Sequence, residues 1–183
     1  MIDPDIYELR IALAENKPEI WRVFQVPAAI PLRKLHKVIQ RVMGWEEYHL
    51  YSFVKGGIIF GQPTPDFITD TVNDRVVALH CLLKRKGDQL TYVYDFGDNW
   101  QHRVTLQRIL VDKPDMQHAL CLDGANACPP EDCGSHHGYD EYLEALRDPN
   151  HEQHEDCLAW RGAFDPAAFD LLAVNRSLRR LKV

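Results

Sequence analysis

The chain has 183 residues, of which 45% are hydrophobic and 26% charged, with a formal net charge of −6. That length and balance suit one globular domain with a real core and count against wholesale disorder. The acidic surplus argues against a broad nucleic-acid grip, and no apolar run is long enough to span a bilayer.

Met1-Ile2-Asp3-Pro4-Asp5 carries neither a basic n-region nor an apolar h-region, so no secretory signal is expected. From Ile6 to Leu13, Tyr7, Leu9, Ile11 and Leu13 alternate with Glu8, Arg10 and Ala12, the period of a half-buried strand. Ile20 to Val26 is a second β-rich run, and Asn16-Lys17-Pro18 between them reads as the turn of a hairpin. A helix should follow Pro31, because Leu32, Leu35, Ile39, Val42 and Met43 fall at helical spacing and Gly44 suits a left-handed C-cap.

Tyr48 to Val54 and Gly57 to Phe60 predict a short hairpin, and Gly61 to Asn73, with Pro63 and Pro65, a long loop. Asp74 is placed to cap a helix reaching about Lys84, through Val77, Leu79, Leu82 and Leu83. Leu90 to Phe96 and Trp100 to Val111 read as strands joined by Gly97-Asp98-Asn99. Beyond Pro114 the character changes, and residues 121–138, rich in Cys, Gly, Pro and His, read as a loop. Tyr139, Tyr142, Leu143 and Leu146 mark a helix ending near Asp148-Pro149, and His151 to Trp160 a second. Asp165-Pro166 then opens a last helix burying Phe169, Leu172 and Leu178. Strands first and helices last imply a single α+β domain over residues 1–183, with an antiparallel or mixed sheet built from the N-terminal and central hairpins and a helical C-terminal third.

Several stretches carry a resemblance: Glu19-Ile20-Trp21-Arg22, Leu35-His36, Gly44-Trp45 ahead of His49-Leu50, and the run Tyr94-Asp95-Phe96-Gly97-Asp98-Asn99-Trp100-Gln101-His102. So do Ala127-Cys128-Pro129-Pro130-Glu131-Asp132-Cys133-Gly134, Gly138-Tyr139 and Phe164-Asp165-Pro166. Together they resemble the plasmid pRiA ORF-three-like family, some members of which are labelled passenger TnpR proteins of insertion elements. The resemblance covers nearly the whole chain. It implies a cytoplasmic α+β protein met on plasmids, mobile elements and chromosomes, and no established activity. One departure is visible: Ser135 stands where the family commonly has a second glycine after the Cys-Gly pair, a costly change if the position needs positive φ.

Three constellations bear on chemistry. Cys121, Cys128 and Cys133, with His102 or His136 as a fourth donor, offer thiolate and imidazole ligands suited to zinc. Their spacing is not the paired Cys-x2-Cys of zinc ribbons, and small buried hydrophobes account for the same residues. Five cysteines, an odd number in a chain without a signal, point to reduced thiols in a cytoplasmic protein. Asp95, Asp98, Trp100 and His102 form a candidate ligand pocket, with Trp100 and His102 on one face of a strand and the carboxylates at the turn before it. The plainer account gives Asp98-Asn99 to the turn and Trp100 to the core. His36 and His49 read as structural histidines, and His151 and His154 as part of a solvated acidic helix face.

The TnpR label suggests a resolvase, yet only Ser52, Ser135 and Ser177 are available as a nucleophile and none has a recombinase setting. Arg176, Arg179, Arg180 and Lys182 complement a helix C-terminus, with phosphate contact as the alternative. There is no phosphate-cradling loop, nucleophile elbow or His-Glu-x-x-His motif. The reading is a non-catalytic accessory or binding protein whose partner, a protein or small ligand, is unidentified. The alternatives are a zinc protein or metalloenzyme built on Cys121–Cys133 and, more weakly, a nucleic-acid binder.

Overall fold

The computed structural model describes residues 5–63, 71–111 and 116–183; residues 64–70 of the long loop expected over 61–73, and Pro114, lie outside them. The strands are β1 (Ile6–Leu13), β2 (Trp21–Pro27), β3 (Tyr51–Lys55), β4 (Ile58–Gly61), β5 (Val72–Asn73), β6 (Gln89–Tyr94), β7 (Trp100–Leu110) and β8 (Leu120–Ala125). The helices are α1 (Leu32–Met43), α2 (Leu79–Leu82), α3 (Ser135–Arg147), α4 (His154–Arg161) and α5 (Leu171–Leu178). All eight strands join one sheet in the order β5-β4-β3-β6-β7-β1-β2-β8, antiparallel throughout except for β4 and β5. This is the mixed sheet of a single α+β domain.

Register explains why one face is covered. Leu9 lies opposite Phe24 and Leu106, Tyr92 opposite His102 and Phe53, and Tyr94 opposite Trp100 and Tyr51, so the large side chains share a face. α1 packs there through Leu35, Val38, Ile39 and Val42, all buried, and closes on Gly44 at φ 100°. The opposite face holds Glu8, Arg10, Thr91, Arg103 and Thr105, including the Arg10–Glu19 ion pair at 2.5 Å. One packed face and one polar face is the ordinary economy of an antiparallel sheet.

A buried arginine ties the covered layer together. Arg22, 3% exposed, donates from Nε to the Val42 carbonyl at the end of α1 and from its terminal nitrogens to the carbonyls of Trp21, Ala125 and Asn126. Its Cζ lies over the Phe169 ring, 4.4 Å from the ring centroid. A Cβ on Gly124 would meet both Arg22 and Phe169 at 2.7 Å, so this cross-strand neighbour has to be glycine.

Three expectations are corrected. The helix expected from Asp74 shrinks to the single turn Leu79–Leu82. Val72 and Asn73 pair with β4, Ala78 bridges Pro31, and the Asp74 carboxylate is drawn into the interior instead of capping. β-Branched Val76 and Val77 give the helix little to set against those contacts. The loop expected over 121–138 begins as β8, which pairs with β2, and ends inside α3. The last helix is capped by Asp170, which accepts from the Ala173 amide, whereas Asp165 accepts from Ala167 in the preceding turn. Leu178 is buried as expected, but Leu172 is 71% exposed.

At the start of α3, a Cβ on Gly138 would run into the Cys133 carbonyl, which accounts for that glycine. Ser135, where the family's second glycine falls, has φ 63° and follows Gly134 at φ 87°. A non-glycine residue held in the left-handed region costs roughly 1 kcal/mol. Ser135→Gly is therefore expected to raise stability by about 1 kcal/mol in urea unfolding; an unchanged or lowered midpoint would show that the strain is compensated locally.

Candidate functional site

The loop from Asn126 to Gly134 folds back over the corner where α1 leads into β3. Trp45, 4% exposed, donates from Nε1 to the Pro129 carbonyl at 3.0 Å and stacks on Tyr94 at 4.8 Å. Glu131, 5% exposed, accepts at Oε1 from the Glu46 amide at 2.9 Å and from the Tyr94 hydroxyl at 3.0 Å. Tyr94 in turn accepts from the amides of Tyr48 and His49. Burial, and then the adjacent Glu131 charge, push the Tyr94 hydroxyl pKa well up, so it remains a donor.

His49 sits at the focus of this corner. Its Nδ1 is 3.6 Å from Asp95 Oδ2, and its Nε2 is 3.7 Å from Glu131 Oε2 and 3.0 Å from Asp132 Oδ1. Nε2 is nevertheless a buried atom without a hydrogen-bond partner. Asp95 spends its other oxygen on the turn, accepting from the Gly97 amide at 2.9 Å.

Beside His49 a cavity of about 480 Å³ opens at the ends of β3, β4 and β6. Arg33, His36, Lys37 and Tyr51 line it from the covered side of the sheet, and Ser52, Ile59 and Val93 from the other, with Leu50 and Phe96 at the strand ends. The wall on the helix side is preorganised. Asp74, fully buried, accepts from Arg33 Nε at 3.0 Å and from the Tyr51 hydroxyl. Tyr51 stacks on His36 with ring centroids 3.4 Å apart and planes 5° from parallel. His36 Nδ1 lies 2.8 Å from the Tyr92 hydroxyl, which also accepts from Gln40 Nε2.

The four residues expected to form a pocket separate into two pairs. Asp95 turns to His49, and Asp98 accepts from the Gly134 amide at 3.1 Å, both at the outer end of the sheet. Trp100 and His102, each 1% exposed, share a strand face as expected, but that face is the interior. His102 packs edge-on to Trp45 at 5.1 Å, and Trp100 meets His136 at 4.9 Å.

No three of the proposed zinc ligands bring their donor atoms within 4.8 Å of one another. Cys121 lies on β8 with its thiol against the Val23 and Asp123 carbonyls. Burial pushes Cys121 up to about 11 and Cys128 and Cys133 up to about 12, which keeps the thiols protonated at neutral pH. Among the described residues, the His, Cys, Asp and Glu ligand atoms that come within 4.8 Å of one another belong to His49, Asp95 and Asp132, not to the cysteines. In the basic tail, Arg176 is 3.8 Å from Asp170. His49 reads from the sequence as a structural histidine, and Glu131 and Asp132 stand there only within a family-like motif, because nothing in their spacing joins residue 49 to residues 131 and 132.

Burial holds His36 and His102 neutral, each lowered to about 3; for His36 the nearby Arg33 and Lys37 charges add to the effect. Both folded values lie below the unfolded imidazole value of about 6.5, so the unfolded chain takes up protons first. Their contribution is complete above about pH 6.5 and is lost as pH falls toward 3, at up to about 1.4 kcal/mol per pH unit for each. Urea unfolding is expected to show a stability lower at pH 5 than at pH 7.5 by as much as about 4 kcal/mol, with the slope reduced in His102→Leu. Equal stability at the two pH values would contradict enclosed neutral histidines.

The family described as plasmid pRiA4b ORF-3-like protein matches residues 5–173. The chain is 34% identical over 176 residues to an uncharacterised protein, y4hQ, of Sinorhizobium fredii, covering 94% of this chain and 90% of that one. Its fold is similar to the crystal structure of MM3350, a protein of unknown function from Methanosarcina mazei Go1. There the TM-score is 0.82 and the identity 37%, with 93% of this chain and 97% of that chain covered. Among the described residues no helix is long and apolar enough to cross a membrane. By sequence over most of its length, this chain belongs to the plasmid pRiA4b ORF-3-like family.

Proposed function

We propose that this protein is a ligand-binding accessory module, and that its ligand is a small, partly aromatic molecule seated at the ends of β3, β4 and β6. The observation that carries this reading is the cavity of about 480 Å³ there. A concave, mostly apolar site with a few convergent polar groups is the usual form of a small-molecule site. Leu50, Ile59, Val93 and Tyr51 supply the apolar surface, and Arg33, Lys37 and His49 the polar points. The Arg33–Asp74–Tyr51 network fixes one wall before any ligand arrives, which lowers the ordering cost of binding.

A binding role is favoured over a catalytic one by the state of the reactive side chains. His36 and His102 are enclosed and neutral, and Cys121, Cys128 and Cys133 are held as thiols, so none is poised as a nucleophile or proton carrier near neutral pH. The plasmid reading frame in the family's description supports an accessory role on mobile DNA over a housekeeping one.

A fragment library screened by amide NMR tests the reading. Bound fragments are expected to shift the resonances of Leu50, Ser52 and Val93, and Val93→Trp, which fills the cavity from the sheet's open face, should abolish those shifts while the protein stays folded. Fragments that bind elsewhere, or bind Val93→Trp equally well, would refute it.

A further inference from the structure

The cavity does not account for the arrangement around His49. Asp95 enters from the turn between β6 and β7, while Glu131 and Asp132 come from the loop ahead of α3, more than thirty residues further on. Each of the two buried carboxylates has one oxygen committed and one turned inward. Asp95 gives Oδ1 to the Gly97 amide and keeps Oδ2 3.6 Å from the imidazole. Glu131 gives Oε1 to the Glu46 amide and Tyr94, and keeps Oε2 3.7 Å from it. The imidazole Nε2 is buried and has no hydrogen-bond partner, although Asp132 Oδ1 lies 3.0 Å away. An ion pair alone would be expected to aim an N–H at one of these oxygens, and here the alignment is missing.

We propose that His49, Asp95 and Asp132, backed by Glu131, form a binding site for one divalent transition-metal ion, Mn²⁺ or Zn²⁺. Two ligands each about 2.1 Å from one ion stand about 3 Å apart when adjacent around it. From Nε2, the one nitrogen that would bind, Asp132 at 3.0 Å and Glu131 at 3.7 Å are close to that spacing, while Asp95 approaches from the Nδ1 side, and one ligand atom from each of His49, Asp95 and Asp132 lies within 4.8 Å of the others. Small side-chain rotations of the exposed Asp132 complete the approach. An imidazole among carboxylates selects ions softer than Mg²⁺ or Ca²⁺, which take oxygen ligands almost exclusively. Tyr94 and the Glu46 amide fix the Glu131 carboxylate as outer partners do in established metal sites. The site shares His49 with the cavity wall but does not depend on a ligand being there.

The test is a titration of the full-length, metal-stripped protein with MnCl₂ alone, followed by electron paramagnetic resonance and calorimetry. One ion per chain is expected, with affinity reduced at least about tenfold in His49→Ala and in Asp132→Asn and unchanged in Cys128→Ser. Asp132 is 64% exposed, so Asp132→Asn should keep the parent melting temperature and isolate the ligand effect from folding. No binding up to about 1 mM, binding unchanged in Asp132→Asn, or binding lost in Cys128→Ser would each overturn the proposal.

Discussion

The carboxylate of Glu131 is the constraint on which the candidate site depends. It lies in the interior, 5% exposed, and one oxygen takes hydrogen bonds from the Glu46 amide and the Tyr94 hydroxyl. A buried carboxylate is tolerated only when such donors replace its water. Here the donors come from the segment just after α1 and from β6, so satisfying one side chain pins the loop from Asn126 to Gly134 across the corner between them. Trp45, donating to Pro129, adds a second clasp a few ångströms away. Once that loop is fixed, Asp132 has no freedom to be far from His49.

Arg22 plays the complementary part on the other side of α1. Its guanidinium answers carbonyls at the end of the helix, at the end of β8 and in the loop that follows, with no carboxylate among these partners. The planar fork of arginine reaches several acceptors at once in a way lysine does not. Of the two buried charges, Arg22 holds the start of the loop to the end of α1, and Glu131 holds its later part to the segment after α1 and to β6. Hydrophobic burial makes the one-faced sheet and its helix, and these polar contacts decide where the connection between β8 and α3 lies. The hydrophobic effect alone has no directionality with which to do so.

Elements with a strong period were legible in the sequence. β1, β2 and α1, with Gly44 as its left-handed cap, follow from alternation, helical spacing and turn chemistry. The family-like motifs also proved to be structural joints: Trp45, Tyr94, Glu131 and Gly138 each make a contact that a substitution would break. The failures share a cause. Asp74 has the right chemistry for a helix cap, and only the tertiary approach of Arg33 and Tyr51 claims it for the interior. Leu120–Ala125 opens a stretch whose Cys, Gly, Pro and His content reads as loop, and it becomes a strand because β2 offers an open edge. His102 drew attention beside two aspartates, yet strand alternation sends it into the core while Asp95 turns outward to His49. Local pattern fixes which face a residue occupies, and long-range pairing fixes what it meets there.

Hydrogen exchange on the parent protein and on Glu131→Ala tests the central role of that carboxylate most directly. The account predicts that the amides of Glu46, Tyr48 and His49 lose protection in the variant, while those of β1 and β7 exchange as in the parent. Unchanged protection at Glu46 to His49, or a uniform loss across the whole sheet, would show that Glu131 is not the latch that assembles the site.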